Sequence, residues 1–326
     1  MKHRVKIPPR LKYHVKESKI PLKTQQRLIY LILALFLGVF LVVMVNLVFE
    51  TGIFQESKIN NRDLAHWEYD SSGNILGAQG FALTGSQNTC WLLVHSYTAS
   101  PAEMRELAAA IHLDLDHRVE VPLLEGHGSV PSSLLDKNLD IWYAQMEIHL
   151  EEMQESCNNI NVVGSSISSP LVLRLAEEHK LNKIFVLNSF IKLTYSPHHI
   201  FPLRPYIMFL TPATHYYKKS KIAQIRDPIG REKHIAYWNM PYQPIRDSFN
   251  FIDHTEANLN KISEPIFIAH SPTDPTADKK SAEIIHQNVK SKAKKLIWYE
   301  NSGHVLLLDY NKKDLIKDII EFERNE

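Results

Sequence analysis

Ile160-Asn161-Val162-Val163-Gly164-Ser165-Ser166-Ile167-Ser168-Ser169-Pro170 runs from a β-branched stretch through small residues into the apolar, helix-forming segment 171–178. The pattern reads as a buried strand, a tight turn and a helix, the unit from which α/β folds are built. Small residues are needed where the strand and helix backbones converge. A turn of this type lifts the hydroxyl of its central serine clear of the sheet, in the geometry of a nucleophile elbow. Ser166 is therefore the candidate nucleophile. The usual Gly-x-Ser-x-Gly has become Gly-Ser-Ser-Ile-Ser, with Ser168 where the second glycine would stand. A serine-rich turn ahead of a helix also reads as an ordinary N-cap, and the choice between the two rests on the rest of the chain.

Two further stretches follow in the chain order serine, acid, histidine. Pro265-Ile266-Phe267-Ile268-Ala269-His270 is a buried-strand run, and Ser271-Pro272-Thr273-Asp274-Pro275-Thr276 is a loop at its carboxyl end. Open parallel sheets place their chemistry at that end, so Asp274 is the candidate acid. Lys295-Leu296-Ile297-Trp298-Tyr299 reads as another strand and leads into Asn301-Ser302-Gly303-His304, which makes His304 the candidate base. Each stretch also has a plainer reading: an aspartate between prolines is commonly a turn residue, and Gly303-His304 before Val305-Leu306-Leu307-Leu308 could begin a helix. The weight lies in the combination.

With these three stretches in place, the segment from about Cys90 to the C-terminus resembles the esterase/lipase branch of the α/β-hydrolases, closest to bacterial carboxylesterases and monoacylglycerol lipases. The resemblance also draws on Leu92-Leu93-Val94-His95-Ser96-Tyr97-Thr98, on Pro101-Ala102-Glu103-Met104-Arg105 and on Pro122-Leu123-Leu124-Glu125-Gly126-His127-Gly128. It implies an α/β-hydrolase fold in which Ser166, Asp274 and His304 are nucleophile, acid and base. It further implies that the backbone amides of Tyr97 and Ile167 form the oxyanion hole. The chain departs from the family twice, with Ser96 after His95 where the family has glycine, and with Ser168.

The coarse pattern agrees. Strand-like runs at 90–95, 119–124, 160–163, 183–187, 265–270 and 295–299 alternate with helical patterns at 102–112, 139–155, 170–179, 282–289 and 312–323. That alternation predicts a mostly parallel sheet with helices on both faces. Residues 67–83, with their glycines, read as a leading antiparallel hairpin. Residues 191–263, rich in Pro and aromatics, interrupt the alternation and read as a cap, since insertions of this length are usually functional. Within them, 200–210 is an apolar segment suited to lining an acyl site, to dipping into lipid or to packing on the core.

At the other end, residues 28–49 are 22 consecutive residues without a charge. As a helix they measure roughly 33 Å, against a hydrocarbon core of about 30 Å. The run exceeds the apolar core of a cleaved signal peptide and lacks the polar face of a core helix. It reads as a retained single-pass signal-anchor. Residues 1–27 carry nine Lys/Arg and one acid, Glu17. Positive charge stays inside, so this tail is expected in the cytoplasm against anionic headgroups, with the remainder on the outer, periplasmic side. The other 299 residues hold 28 basic and 35 acidic side chains, a net of −7 that the near-neutral total conceals. The organisation expected is therefore a basic tail (1–27), a transmembrane helix (28–49), a linker (50–61) and one hydrolase domain (62–326), long enough for a full core.

The cysteines number two, Cys90 and Cys157. Both precede strands that are neighbours in the fold the resemblance implies. They read either as a disulfide suited to an oxidising compartment or as two buried thiols. The 17 histidines show no His-Glu-x-x-His spacing and there is no Cys-x-x-Cys, so no metal or other cofactor is assigned. Gly126-His127-Gly128 is too poor in glycine for a phosphate cradle, and no nucleic-acid partner is indicated. The reading is a membrane-anchored serine hydrolase cleaving short or medium acyl esters or monoacylglycerols. Two alternatives stand beside it: a non-catalytic, membrane-tethered binding protein of the same fold, suggested by Ser96 and Ser168, and an acyltransferase, thioesterase or lysophospholipase using the same three residues.

Overall fold

The computed structural model describes residues 21–49, 56–194, 203–210, 215–218 and 224–326. The chain divides into two units, Met1–Val48 and Phe49–Glu326. Residues 1–20 of the expected basic tail, 50–55 of the expected linker, and 195–202, 211–214 and 219–223 of the expected cap lie outside the described residues.

Among the described residues the first unit consists of one helix, α1 (Leu22–Phe49). It starts six residues ahead of the uncharged run. The carbonyl of Pro21 accepts from the amides of Thr24 and Gln25, and proline suits a helix start because its own amide is not needed there. Backbone hydrogen bonding, rather than the last charge, sets the boundary. Among the described residues α1 is the one helix long and apolar enough to cross a membrane.

The second unit opens with α2 (Glu56–Leu64), where the sequence suggested linker as far as residue 61. Polar side chains make this segment a docked helix. Ile59 is buried, Asn60 exchanges two hydrogen bonds with Ser132, and Asp63 accepts from the Trp238 amide and from Asn239 Nδ2. Desolvation raises the pKa of the buried Asp63 carboxyl above its usual range, despite those donors.

The strands are β1 (Phe81–Leu83), β2 (Ser86–Val94), β3 (His117–Val121), β4 (Asn159–Ser165), β5 (Lys183–Leu187), β6 (Tyr216–Lys218), β7 (Asn239–Pro241), β8 (Ile266–His270) and β9 (Lys294–Trp298). Seven form one sheet in the order β1-β3-β2-β4-β5-β8-β9. Only β1 runs antiparallel, against β3. The hairpin expected over 67–83 is reduced to β1 and a single bridge between Tyr69 and Ile75. Side chains have replaced the ladder: Asp70 accepts from the amides of Ser72 and Asn74, and Gln79 bonds both Gly77 N and Ile75 O. Gly73 and Gly77 turn the chain at φ of 81° and 82°, which only glycine adopts at no steric cost.

Side-chain alternation places apolar groups on both sheet faces. On one face Cys90, Leu92, Val94, Val162, Ile184, Val186, Ile266 and Ile268 pack with α4 (Leu139–Gln154), α5 (Ser168–Glu178) and the helix Lys280–Asn288. On the other, Trp91, Leu93, Val163, Phe185, Leu187, Phe267 and Ala269 meet α3 (Arg105–Leu115) and the C-terminal helix Lys312–Asn325. Cys90 and Cys157 are joined by a disulfide that ties β2 to the approach of β4.

Between β5 and β8 the described residues form the helices Leu203–Leu210, Pro228–Lys233, Gln243–Asp247 and Phe249–Ala257 and the small antiparallel ladder β6–β7. Ile207 joins the main core while Met208 is exposed. The apolar segment is therefore anchored inward at one residue at least.

Candidate active site

Gly164, Ser166 and Ser168 set the turn between β4 and α5. A Cβ on Gly164 would lie 2.5 Å from the carbonyl oxygen of Ser168, so only glycine lets the two backbones pass. Ser166 sits in the left-handed region at φ 58°, a strained place for a residue with a Cβ. Two backbone bonds hold it there: Ser166 N donates to Leu187 O at 2.8 Å, and Phe190 N donates to Ser166 O at 3.2 Å. Ser168, in place of a glycine, begins α5 and is fully buried. Its hydroxyl donates to His95 O at 2.5 Å, pinning the head of α5 to the end of β2. The departure from the family pattern thus fills its space with a satisfied hydrogen bond.

The structure brings Ser166, His304 and Asp274 into one hydrogen-bonded line. Ser166 Oγ lies 2.7 Å from His304 Nε2, and His304 Nδ1 lies 2.7 Å from Asp274 Oδ2. All three are buried. The second oxygen of Asp274 accepts from the amides of Thr276 (2.7 Å) and Ala277 (3.0 Å), which fixes the carboxylate plane. With a carboxylate on Nδ1, the imidazole carries its proton there and leaves Nε2 to accept from the serine hydroxyl.

Two residues that the sequence reading passed over hold the loops of Asp274 and His304. Asn188, directly after β5, donates from Nδ2 to Gly303 O (3.0 Å) and His304 O (2.5 Å), while its Oδ1 accepts from Ser271 N (2.7 Å). Asp309, fully buried, accepts from Gly303 N through Oδ2 (2.7 Å). It also accepts from the amides of Arg226 and Asp227, joining the histidine loop to the β5–β8 insertion. The one signal available for Asn188 was its position at the carboxyl end of a sheet strand; Asp309 carried none.

Beside the serine, β2 and β4 are paired in register with Val94 opposite Gly164. Tyr97 and Ile167 therefore leave adjacent strands three residues beyond a matched pair, and Ile167 stands at the N-cap of α5. The loop carrying Tyr97 is braced on both sides. Ser96 donates through its hydroxyl (2.5 Å) and its amide (3.3 Å) to the buried Glu103 carboxylate, and Tyr97 OH donates to Pro241 O. His95 Nε2 accepts from Leu124 N and its Nδ1 donates to Ser96 O. Burial lowers the His95 pKa to about 4, so it is a neutral strut. Elsewhere, Glu147, Glu178 and His179, and Glu177, Glu178 and His254, form two clusters on the surface of α4, α5 and the insertion. Their carboxylates are engaged by Tyr143, Arg174 and Lys261.

A seven-stranded, mostly parallel sheet with its serine at the tip of a central strand and the acid and histidine beyond later strands is the α/β-hydrolase fold. No protein-family model matches the chain. The chain is 27% identical over 237 residues to the thermostable monoacylglycerol lipase of Bacillus sp. (strain H-257), covering 71% of this chain and 88% of that protein. It is 24% identical over 233 residues to the carboxylesterase of Bacillus subtilis (strain 168), covering 71% of this chain and 90% of the relative. Among solved structures, a metagenome-derived lipolytic enzyme from work on LipS and LipT superposes with a TM-score of 0.69 at 24% identity, over 77% of this chain and 99% of its own.

Proposed function

We propose that this chain is a membrane-anchored serine hydrolase that cleaves carboxylic esters of short or medium acyl chains, monoacylglycerols among them. The observation that carries the reading is the unbroken line Ser166–His304–Asp274 with both contacts at 2.7 Å. His304 takes the hydroxyl proton as Ser166 Oγ attacks the acyl carbonyl, and Asp274 stabilises the imidazolium that forms. The amides of Tyr97 and Ile167 receive the negative oxygen, each contributing on the order of 3 kcal/mol. The alcohol leaves with the proton from His304. Water, deprotonated by the same nitrogen, then releases the acid from the acyl-enzyme.

The ester and monoacylglycerol range is supported by the two Bacillus relatives, which are a carboxylesterase and a monoacylglycerol lipase. The insertion at 191–263 covers the acyl site in this reading. Residues 28–49 anchor the chain, with the nine cations of the tail retained in the cytoplasm and the catalytic domain outside. A tethered, non-catalytic binder drew its support from Ser96 and Ser168, and both now have hydrogen-bonded places that leave the serine–histidine contact intact.

The test is hydrolysis of p-nitrophenyl esters of increasing acyl length, and of monoacylglycerols, by the full chain in detergent. The expected profile has its maximum at short or medium acyl groups. A folded, monodisperse protein with no turnover on any of them would overturn the proposal.

A further inference from the structure

The turn that follows β5 touches the loops of all three residues in the proposed catalytic line. Leu187 O accepts from Ser166 N, and Phe190 N donates to Ser166 O. Between them, Asn188 reaches the other two loops. Its Nδ2 donates to Gly303 O and His304 O, and its Oδ1 accepts from Ser271 N, at the start of the loop that carries Asp274. Asn188 is fully buried and its backbone stands at φ 43°. Its own amide donates to Ala269 O, tying it to β8. An asparagine is one of the few side chains that tolerates the left-handed region while offering two donors and an acceptor from one planar group. The three side-chain contacts are all made with loop backbone.

We infer that Asn188 is a positioning residue for the proposed reaction: a single planar amide that fixes the histidine loop against the acid loop and so sets the Ser166–His304 distance. The inference rests on the reading of Ser166 as nucleophile. No other side chain among the described residues is hydrogen-bonded to the carbonyl of His304, whose backbone carries the imidazole. Ser271 Oγ donating to Ser302 O makes a second, parallel tie between the same loops. Loss of the amide therefore loosens the geometry without opening the loops altogether. Displacement of a base by about 1 Å is enough to cost on the order of a hundredfold in rate.

Two substitutions separate positioning from mere stability. Asn188→Gly keeps the left-handed backbone and deletes the amide. Asn188→Asp keeps the acceptor for Ser271 N but turns an oxygen toward two carbonyl oxygens, unless the carboxyl is protonated. The measurements are the rate of fluorophosphonate labelling and the kcat and KM for p-nitrophenyl butyrate from pH 5.5 to 8.5, on the full chain in detergent, with thermal melts alongside. Both variants are expected to lose at least tenfold in labelling rate and in kcat at pH 8, with KM changed less than threefold. The ratio of Asn188→Asp to wild-type activity should rise as the pH falls, because protonation restores a donor; a role in folding alone predicts a flat ratio. Asn188→Gly labelling at the wild-type rate, or a flat ratio with kcat and KM moving together, overturns the inference. Wild-type protein that does not label shows instead that the reading of Ser166 has failed, and Asn188 falls with it.

Discussion

Replacing Asp274 by asparagine should silence the enzyme while leaving its fold in place, and the reason can be followed atom by atom. Asp274 Oδ1 is held by two backbone amides, those of Thr276 and Ala277. In the Asp274→Asn variant only the new side chain's carbonyl oxygen can accept from them, so its amide nitrogen must take the place of Oδ2, against His304 Nδ1. An NH₂ group there donates, and Nδ1 must become the acceptor. The imidazole proton then moves to Nε2, which points at Ser166 Oγ and can no longer receive the serine proton. In hydrolases with this arrangement the wrong tautomer lowers kcat by on the order of 10⁴, equivalent to about 5.4 kcal/mol of transition-state stabilisation. The two loop amides keep their acceptor, and the melting temperature should fall by no more than about 2–4 °C, the change that roughly 1 kcal/mol produces in a domain of this size. Asp274→Ala is the less informative change, because it leaves both amides buried without a partner at a cost of about 1–3 kcal/mol each. The assay is kcat on p-nitrophenyl butyrate beside a thermal melt. Asp274→Asn retaining a tenth or more of wild-type kcat would falsify the reasoning.

Three further outcomes follow from the same structure. The Cys90–Cys157 disulfide closes a loop of sequence separation 67. In the chain-entropy description that loop contributes about 4 kcal/mol, so the Cys90→Ala/Cys157→Ala protein should unfold at markedly lower urea; equal midpoints would show that the bond constrains little. A Cβ on Gly230 would collide with the carbonyl oxygen of Leu308. Gly230→Ala must therefore push the helix Pro228–Lys233 off the histidine loop at a cost of about 1–3 kcal/mol in urea unfolding, and unchanged stability would contradict that contact. His149 is raised above its ordinary 6.5 by its hydrogen bond to Glu120, which is lowered from 4.5 by the same bond. The stability from the raised histidine is complete below pH 6.5 and is lost as pH rises through the folded value; that from the lowered glutamate is present above 4.5 and is lost on acidification. His149→Gln should accordingly depress the melting temperature most between pH 4.5 and 6.5 and converge on wild type in alkali, whereas an offset independent of pH would refute the pairing.

The strands of the sheet were legible because a parallel strand covered on both faces reads as a near-continuous apolar run. Each of the six expected runs falls on a strand, with ends displaced by three residues at most except at β2, whose polar start at Ser86–Thr89 gave no hydrophobic signal. Helix starts were harder to place. α5 begins at Ser168, ahead of Pro170, because the first turn of a helix has no need of the proline amide. α3 begins at Arg105, after residues 101–104 have formed a separate 3₁₀ turn. The hairpin that the glycines predict over 67–83 is reduced because Asp70 and Gln79 satisfy backbone groups that a ladder would otherwise pair. Residues 56–61 resemble linker in sequence because α2 is polar over most of its length and docks through Asn60 and Asp63.

At the site, Ser166, Asp274 and His304 announced themselves because each ends a strand run in a turn of small or polar residues. Asn188, Asp309 and Glu103 did not. Their work is done on backbone groups of other loops: Asn188 acts across 83 and 116 residues of chain, and no local pattern encodes such a partner. Glu103 looks in sequence like any acid in the first turn of a helix, yet it is buried and braces Ser96, one residue before Tyr97.

The most direct test of the central claim is the intact mass of the full chain after treatment with a fluorophosphonate, beside Ser166→Ala. A single adduct on the wild type, located at Ser166 by peptide mapping and missing from the variant, is the predicted result. A folded wild type that gains no adduct, or a Ser166→Ala protein that gains the same one, would contradict it.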